Sequence, residues 1–255
     1  MLRILYERFQ QGYRTGAFPR QEPTLPDRFR GLPRLHPEQC APGCRDCTDR
    51  CPFGTIRLEN GQVTLDLGRC LFCADCPACP HGGLEFSTDY RLAARQRQGL
   101  TITADRGSEL AEPLDQPLKK LFGRSFKLRQ VSAGGCNGCE ADVNVLGTLV
   151  FDLGRFGIQF VASPRHADGI LVTGPVTENM REALLATYAA VPNPKVVIAS
   201  GACAINGGPF INAPEVHNGV GDLLPVDLFI PGCPPHPYTI LDGLLRLLGR
   251  REAAR

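Results

Sequence analysis

Five short apolar runs, FKLRQV, IQFVA, GILVT, KVVIAS and VDLFI, punctuate the chain between residues 126 and 230. Runs of this length and composition read as buried strands. Residues 140–150, 178–190 and 237–249 carry apolar positions at helical spacing. In LDGLLRLLG, the leucines at 241, 244, 245, 247 and 248 mark one buried face. Strands alternating with helices predict a mainly parallel sheet covered on both faces. At the other end of the chain, Leu2, Leu5, Tyr6 and Phe9 fall at i, i+3, i+4 and i+7 and predict an amphipathic helix. Such a helix suits a membrane surface, a partner or the chain's own body.

The pattern is weaker in between. Residues 91–124, with RQRQ, ADRGSE and EPLDQP, are polar, lack strand periodicity and contain Pro113 and Pro117, as a linker does. PLKKLFGRS at its end reads as a short helix. The expected organisation is an arm with the amphipathic helix at 1–34, a cysteine-dense module at 35–90, a linker at 91–124, and a flavodoxin-like three-layer α/β domain at 125–250.

Length and charge narrow the function. At 255 residues the chain has room for two modest domains, and its formal net charge of +2 gives no reason to expect nucleic acid as a partner. The charge is uneven: residues 1–35 hold seven Arg against three acidic residues, which suits an anionic surface or an acidic partner. No apolar run reaches the roughly 18 residues a membrane span needs. The opening MLRILYERFQQGYR lacks the apolar core and cleavage site of a secretory signal, so the expected compartment is the cytoplasm. Twelve cysteines in a reducing compartment are better explained as metal ligands than as six disulfides.

Eight of them form two similar groups. CAPGCRDCTDRCP holds Cys40, Cys44, Cys47 and Cys51 before Pro52, and CLFCADCPACP holds Cys70, Cys73, Cys76 and Cys79 before Pro80. The repeat resembles a bacterial-type two-cluster ferredoxin, in which three close thiolates wrap one [4Fe-4S] cube and the fourth, before Pro, reaches to the other. That pairing puts Cys40, Cys44, Cys47 and Cys79 on one cluster and Cys70, Cys73, Cys76 and Cys51 on the second. Zinc would instead be held by two CxxC pairs across a longer loop. Both groups depart from the regular CxxCxxCxxxCP spacing: three residues separate Cys40 from Cys44, and two separate Cys76 from Cys79.

The other four are spread out. GGCNGCE places Cys136 and Cys139 after the strand FKLRQV, while KVVIASGAC and VDLFIPGC place Cys203 and Cys233 just after two more strands. Loops that follow the strands of an open parallel sheet share one edge, so these four thiolates can converge. Gly134, Gly135, Gly138, Gly201 and Gly232 would let the backbone approach a cluster.

Over residues 118–249, GGCNGCE, SPRHAD, GPVT, SGACAINGG and PGCPPHP resemble the cluster-bearing small subunit of group 4 energy-converting [NiFe] hydrogenases of the formate hydrogenlyase type. They are also similar to the homologous terminal-cluster subunit of respiratory complex I. Complex I proteins usually carry adjacent cysteines at the first position, whereas two residues separate Cys136 from Cys139, which favours the hydrogenase side. The N-terminal half, with FRGLPRLHPEQC and LGRCLFC, resembles the two-cluster polypeptide of the same complexes, so the chain looks like a natural fusion of the two.

The resemblance implies a non-catalytic electron-transfer subunit with three [4Fe-4S] clusters and no active site of its own. It implies a [NiFe]-type large subunit or its nickel-free homologue as partner, with a low-potential electron donor and membrane subunits of the same complex. The chain would then sit peripherally on the inner face of the cytoplasmic membrane. Arg165 and His166 in SPRHAD are expected near the third cluster as donors that raise its potential, or else at a cap or interface. Glu140 is expected in proton movement at the large-subunit contact or in an ordinary helix-dipole role. His236 reads as surface or interface.

Overall fold

Helix α1 (Leu2–Gln11) forms where the apolar residues recur at helical spacing, and none of its residues is buried. The computed structural model describes residues 2–41, 43–59, 61–73, 81–105 and 107–251. Strand β1 (Pro33–Leu35) precedes the first cysteine group, and helix α2 (Asp46–Arg50) lies within it. Strands β2 (Ile56–Glu59) and β3 (Gln62–Asp66) form a hairpin between the two groups; β4 (Leu84–Phe86) follows the second and pairs antiparallel with β1.

The stretch expected as a linker is packed instead. Strand β5 (Thr101–Thr103) adds to β3, so that β2, β3 and β5 form a three-stranded antiparallel sheet. Leu92, Ala93, Ala94, Leu100 and Ile102 are buried, and Ala94 exchanges both backbone hydrogen bonds with Phe229. The reason is local: apolar residues alternate with charged ones here, so composition conceals a segment whose apolar half is covered from both sides. The helix expected at its end is α3 (Gln116–Phe122).

The C-terminal domain follows the apolar pattern closely. Its elements are β6 (Phe126–Ser132), α4 (Gly138–Val145), β7 (Ile158–Phe160), β8 (Gly169–Thr173), α5 (Glu178–Ala190), β9 (Val196–Ser200), α6 (Ala202–Asn206), β10 (Leu228–Ile230) and α7 (Pro237–Leu247). All five strands are parallel, in the order β10-β9-β8-β6-β7. Counted from β6 this is the 2-1-3-4-5 order of a flavodoxin-like sheet, whose direction of winding reverses between β6 and β8.

Every residue of β8, β9 and β10 is buried, and the alternation of the pleat sorts them. Ile170, Val172, Val197 and Ala199 join Leu184 of α5 in one core, which also takes in Leu65, Leu100 and Ile102 of the N-terminal half. Leu171, Val196 and Ile198 join Ile240, Leu241, Leu244 and Leu245 of α7 in the other. Helix α4 starts earlier and stops sooner than the spacing over 140–150 predicts. Thr148 donates its hydroxyl to the Val145 carbonyl 2.8 Å away, which ends the helix and leaves Leu149 and Val150 exposed.

Candidate metal centre

The loops after β6, β9 and β10 leave the same edge of the sheet and carry all four scattered cysteines. Cys136 lies in the first loop and Cys139 in the first turn of α4; Cys203 lies in α6, and Cys233 follows β10. Backbone bonds hold the last two loops together, with Gly201 N–H donating to the Ile230 carbonyl and Ala202 N–H to that of Gly232, each at 2.8 Å. Cys203 is buried, Cys139 half-buried, and Cys136 and Cys233 are exposed.

Two glycines allow this assembly. Gly201 adopts φ +94°, and a Cβ there would stand 2.5 Å from Cys139 Sγ, so a side chain would displace the thiol. Gly174, at φ +85° after β8, approaches so closely that a Cβ would lie 2.6 Å from the backbone nitrogen of Gly135. The loop that bears Cys136 is therefore seated on the loop at the winding reversal.

The electrostatics follow from the thiols being neighbours. Burial pushes the Cys139 thiol up, and charge on Cys203, Glu140, Cys233 and Cys136 pushes it further. Burial, with charge on Cys233, Cys136 and Glu140, raises Cys203 to about 12. Burial and Cys136 raise Cys233. Burial and neighbouring charge thus suppress ionisation of Cys139, Cys203 and Cys233, and a cation that compensates thiolate charge would reverse this. Ser200, next to Gly201, adds a buried hydroxyl without a protein partner among the described residues. An all-sulfur donor set at this edge fits an iron-sulfur cluster; among the described residues no three of these thiols form a group within 4.8 Å of one another, as a single zinc ion would need.

Glu140 does not hang free toward a partner. Its Oε1 accepts hydrogen bonds from Ser132 Oγ at 2.6 Å and Thr173 Oγ1 at 2.5 Å, the last residues of β6 and β8, and the side chain is 7% exposed. Burial opposes its ionisation, but the two hydroxyl donors outweigh it and hold the carboxyl below the ordinary range. A carboxyl depressed on folding adds stability above its unfolded pKa of about 4.3 and loses it as pH falls through the folded value. Glu140→Gln is accordingly expected to cost about 1–3 kcal/mol at pH 7. The gap to the parent protein, read from urea midpoints, should narrow as pH falls toward and below about 4.

Arg165 and His166 are placed differently from expectation. Both are exposed on the turn Pro164–His166 that leads into β8, not in a loop that bears cysteine. The first residue of β8, Gly169, lies opposite Leu128, four residues short of the end of β6. His236 is half-buried and caps α7, its Nδ1 accepting from Tyr238 N–H at 3.2 Å; burial lowers its pKa.

In the N-terminal half, Cys40, Cys44 and Cys47 line one cavity of about 310 Å³. Cys51 Sγ accepts from Thr55 N–H and Cys70 Sγ from Phe72 N–H, both at 3.4 Å, and Cys73 is half-buried. Burial disfavours the Cys51 thiolate, but hydrogen bonds from Thr55 and neighbouring amides leave its pKa lowered. Cys76 and Cys79 lie outside the described residues. Sequence reasoning missed Asp46 and His81, whose donor atoms lie within 4.8 Å of each other and of Cys44 Sγ. It also missed Ser132 and Thr173. A second cavity of about 240 Å³ is lined by Leu71 and Phe72 of the second cysteine group, by Asp142 of α4 and by Cys233.

Residues 136–247 match the family described as NADH ubiquinone oxidoreductase, 20 Kd subunit. The chain is 44% identical over 131 residues to a probable membrane-bound hydrogenase subunit of Pyrococcus furiosus, covering 51% of this chain and 78% of that one. It is 40% identical over 161 residues to formate hydrogenlyase subunit 7 of Escherichia coli, covering 63% of each. An NADH-quinone oxidoreductase subunit of Bacteroides thetaiotaomicron is 43% identical over 128 residues, with 49% of this chain and 64% of that one covered.

Proposed function

Because the chain belongs to the family of the NADH ubiquinone oxidoreductase 20 Kd subunit, we propose that it is an electron-transfer subunit of a membrane-associated [NiFe] hydrogenase complex of the formate hydrogenlyase type. The observation that carries this reading is the gathering of Cys136, Cys139, Cys203 and Cys233 at the carboxyl edge of the sheet, in a chain similar to hydrogenase subunits. These four residues would hold one [4Fe-4S] cluster. Cys40, Cys44, Cys47 and Cys79 would hold a second, and Cys70, Cys73, Cys76 and Cys51 a third, in an N-terminal ferredoxin-like module fused to the small-subunit domain. Such clusters, when bound, supply one-electron donors and acceptors.

The chain's own residues supply position and insulation. The shared cavity lined by Cys40, Cys44 and Cys47 and the amide donors to Cys51 and Cys70 support the ferredoxin-like module. The flanking pairs support it too: β1 with β4 outside the two cysteine groups, and β2 with β3 between them. The cavity that Leu71 and Phe72 share with Cys233 supports a short path between the second cysteine group and the C-terminal centre within one polypeptide. Reaction chemistry would belong to a partner large subunit with nickel, fed by a low-potential donor. Membrane subunits of the same complex would supply its membrane-spanning part; no helix among the described residues is long and apolar enough to cross a bilayer.

A complex I-like quinone reductase is the second reading, favoured by the similarity to the NADH-quinone oxidoreductase relative. The two residues between Cys136 and Cys139 weigh against it. The test is iron, sulfide, zinc and nickel analysis of the complex isolated without oxygen from its host. About twelve irons on this chain, with nickel on a copurifying large subunit, are expected. Iron without nickel moves the assignment to the complex I side, about four irons removes the ferredoxin-like module, and dominant zinc ends the electron-transfer reading.

A further inference from the structure

Helix α1 has no packing partner among the described residues. Leu2 is 83%, Leu5 65%, Tyr6 60% and Phe9 88% exposed. At about 100° per residue these four cover a single arc of about 100° on the helix surface. Arg3 and Arg8 fall on its two flanks, and Glu7, which pairs with Arg3 at 3.6 Å, is the only acidic residue of the helix. The arm continues in character beyond the helix. Tyr13 is 84% exposed with the Arg8 guanidinium 4.0 Å above its ring, and Arg14 follows.

The root of the arm is fixed. Gly16 N–H donates to the Val150 carbonyl at 2.8 Å, and Arg155 donates to the carbonyls of Gly16 and Phe18 at 2.8 and 2.7 Å. Leu149, 74% exposed, and Val150 belong to that same anchoring turn. Gly12, at φ +64° with nothing within 4 Å of its Cβ position, ends the helix in open space. An apolar face left in water, bordered by arginines and tyrosines, and tethered next to further exposed apolar residues has the make-up of an interfacial helix.

We propose that α1 is an in-plane membrane anchor that lays Leu2, Leu5, Tyr6 and Phe9 into the headgroup boundary of an anionic bilayer, with Arg3, Arg8 and Arg14 on the lipid phosphates. The cationic flanks select the occupant, because an apolar protein groove has no need of three arginines around its contact, whereas an anionic surface attracts each of them. Contact with lipid is then a property of this chain itself, independent of its clusters and of any membrane subunit.

Flotation of the full, cluster-loaded chain with vesicles tests it, using phosphatidylcholine alone and phosphatidylcholine mixed with phosphatidylglycerol. Binding to the mixed vesicles and little to the neutral ones is expected. Partitioning should fall about fivefold for each of Arg3→Gln and Arg8→Gln, and be lost in the double variant Leu5→Glu, Phe9→Glu. None of these residues is buried, so iron content and melting temperature should stay unchanged in every variant. Absence of binding to the mixed vesicles, binding unaffected by the double variant, or concentration-dependent dimerisation abolished by it would each overturn the proposal, the last in favour of a second copy on this face.

Discussion

On the proposed reading of three [4Fe-4S] clusters, Cys203→Ser is expected to lower iron on the purified chain from about twelve to about eight atoms and to leave the two proposed N-terminal clusters intact. The substitution is nearly isosteric in a site that is 8% exposed, within a helix whose neighbours Ala202 and Ala204 are fully covered. The fold therefore survives while a thiolate is exchanged for a poor ligand. Loss of a residue that only supports a metal ligand costs about 10–100-fold. Loss of a ligand should exceed that, so electron transfer linked to hydrogen should fall by more than about 100-fold. Paramagnetic resonance during stepwise reduction is the decisive reading: the signals of two clusters should remain and a third should vanish. Twelve irons retained with full activity would place the C-terminal cluster on other residues.

The second large effect is on stability. Asp242 of α7 is fully buried, with Arg246 Nε 2.8 Å from one carboxylate oxygen and Arg251 Nη1 3.0 Å from the other. Arg251 also pairs with Glu22 at 2.6 Å and donates to Tyr90 Oη at 3.0 Å, while Tyr90 donates its hydroxyl to Glu22. One network thus ties the N-terminal arm and the segment after the second cysteine group to the last helix. Burial raises the Asp242 pKa, only partly offset by the two arginines, which marks the cost of holding these charges inside. Asp242→Ala removes the carboxylate 2.8 Å from the buried Arg246 Nε and is expected to cost about 3–5 kcal/mol, the range for breaking a buried ion pair from one side. For a chain of this size that lowers the melting temperature by on the order of 10 °C. The double variant Asp242→Leu, Arg246→Leu should recover most of the loss, because it removes both charges together. A single variant as stable as the parent would show that the network contributes nothing.

The parts legible in the sequence were those where one local pattern sufficed. GILVT and KVVIAS are buried on both faces, so their apolar runs matched β8 and β9 nearly residue for residue, and α5 fell on 178–190 as its spacing predicted. The positions of Cys136, Cys139, Cys203 and Cys233 after apolar runs pointed to one sheet edge, because loops that follow parallel strands share it. The short elements β1, β4, β5 and α6 gave no signal of their own, unlike the equally short β7 to β10, which lie in apolar runs. Leu100 and Ile102 were misread as linker because the residues that bury them come from β3 and the large sheet. Ser132 and Thr173 looked like ordinary strand ends, since nothing local says that a glutamate from α4 will reach across to both. The misplacement of Arg165 and His166 has a similar origin: a turn between two strands follows one and precedes the other, and proximity in sequence does not say which strand end it shares.

The exchange of hydrogen bonds between Ala94 and Phe229 bears on how the protein can be handled. Strand β10 is the last strand of the five-stranded sheet, and Ala94 occupies its outer side. A bare outer strand is a template for another chain, and proteins that keep one uncovered invite sheet-to-sheet aggregation. Here the cover is supplied from the far side of the cysteine module. A fragment that begins at residue 125 would expose that strand and stack with copies of itself, whereas the intact chain carries its own protection against doing so.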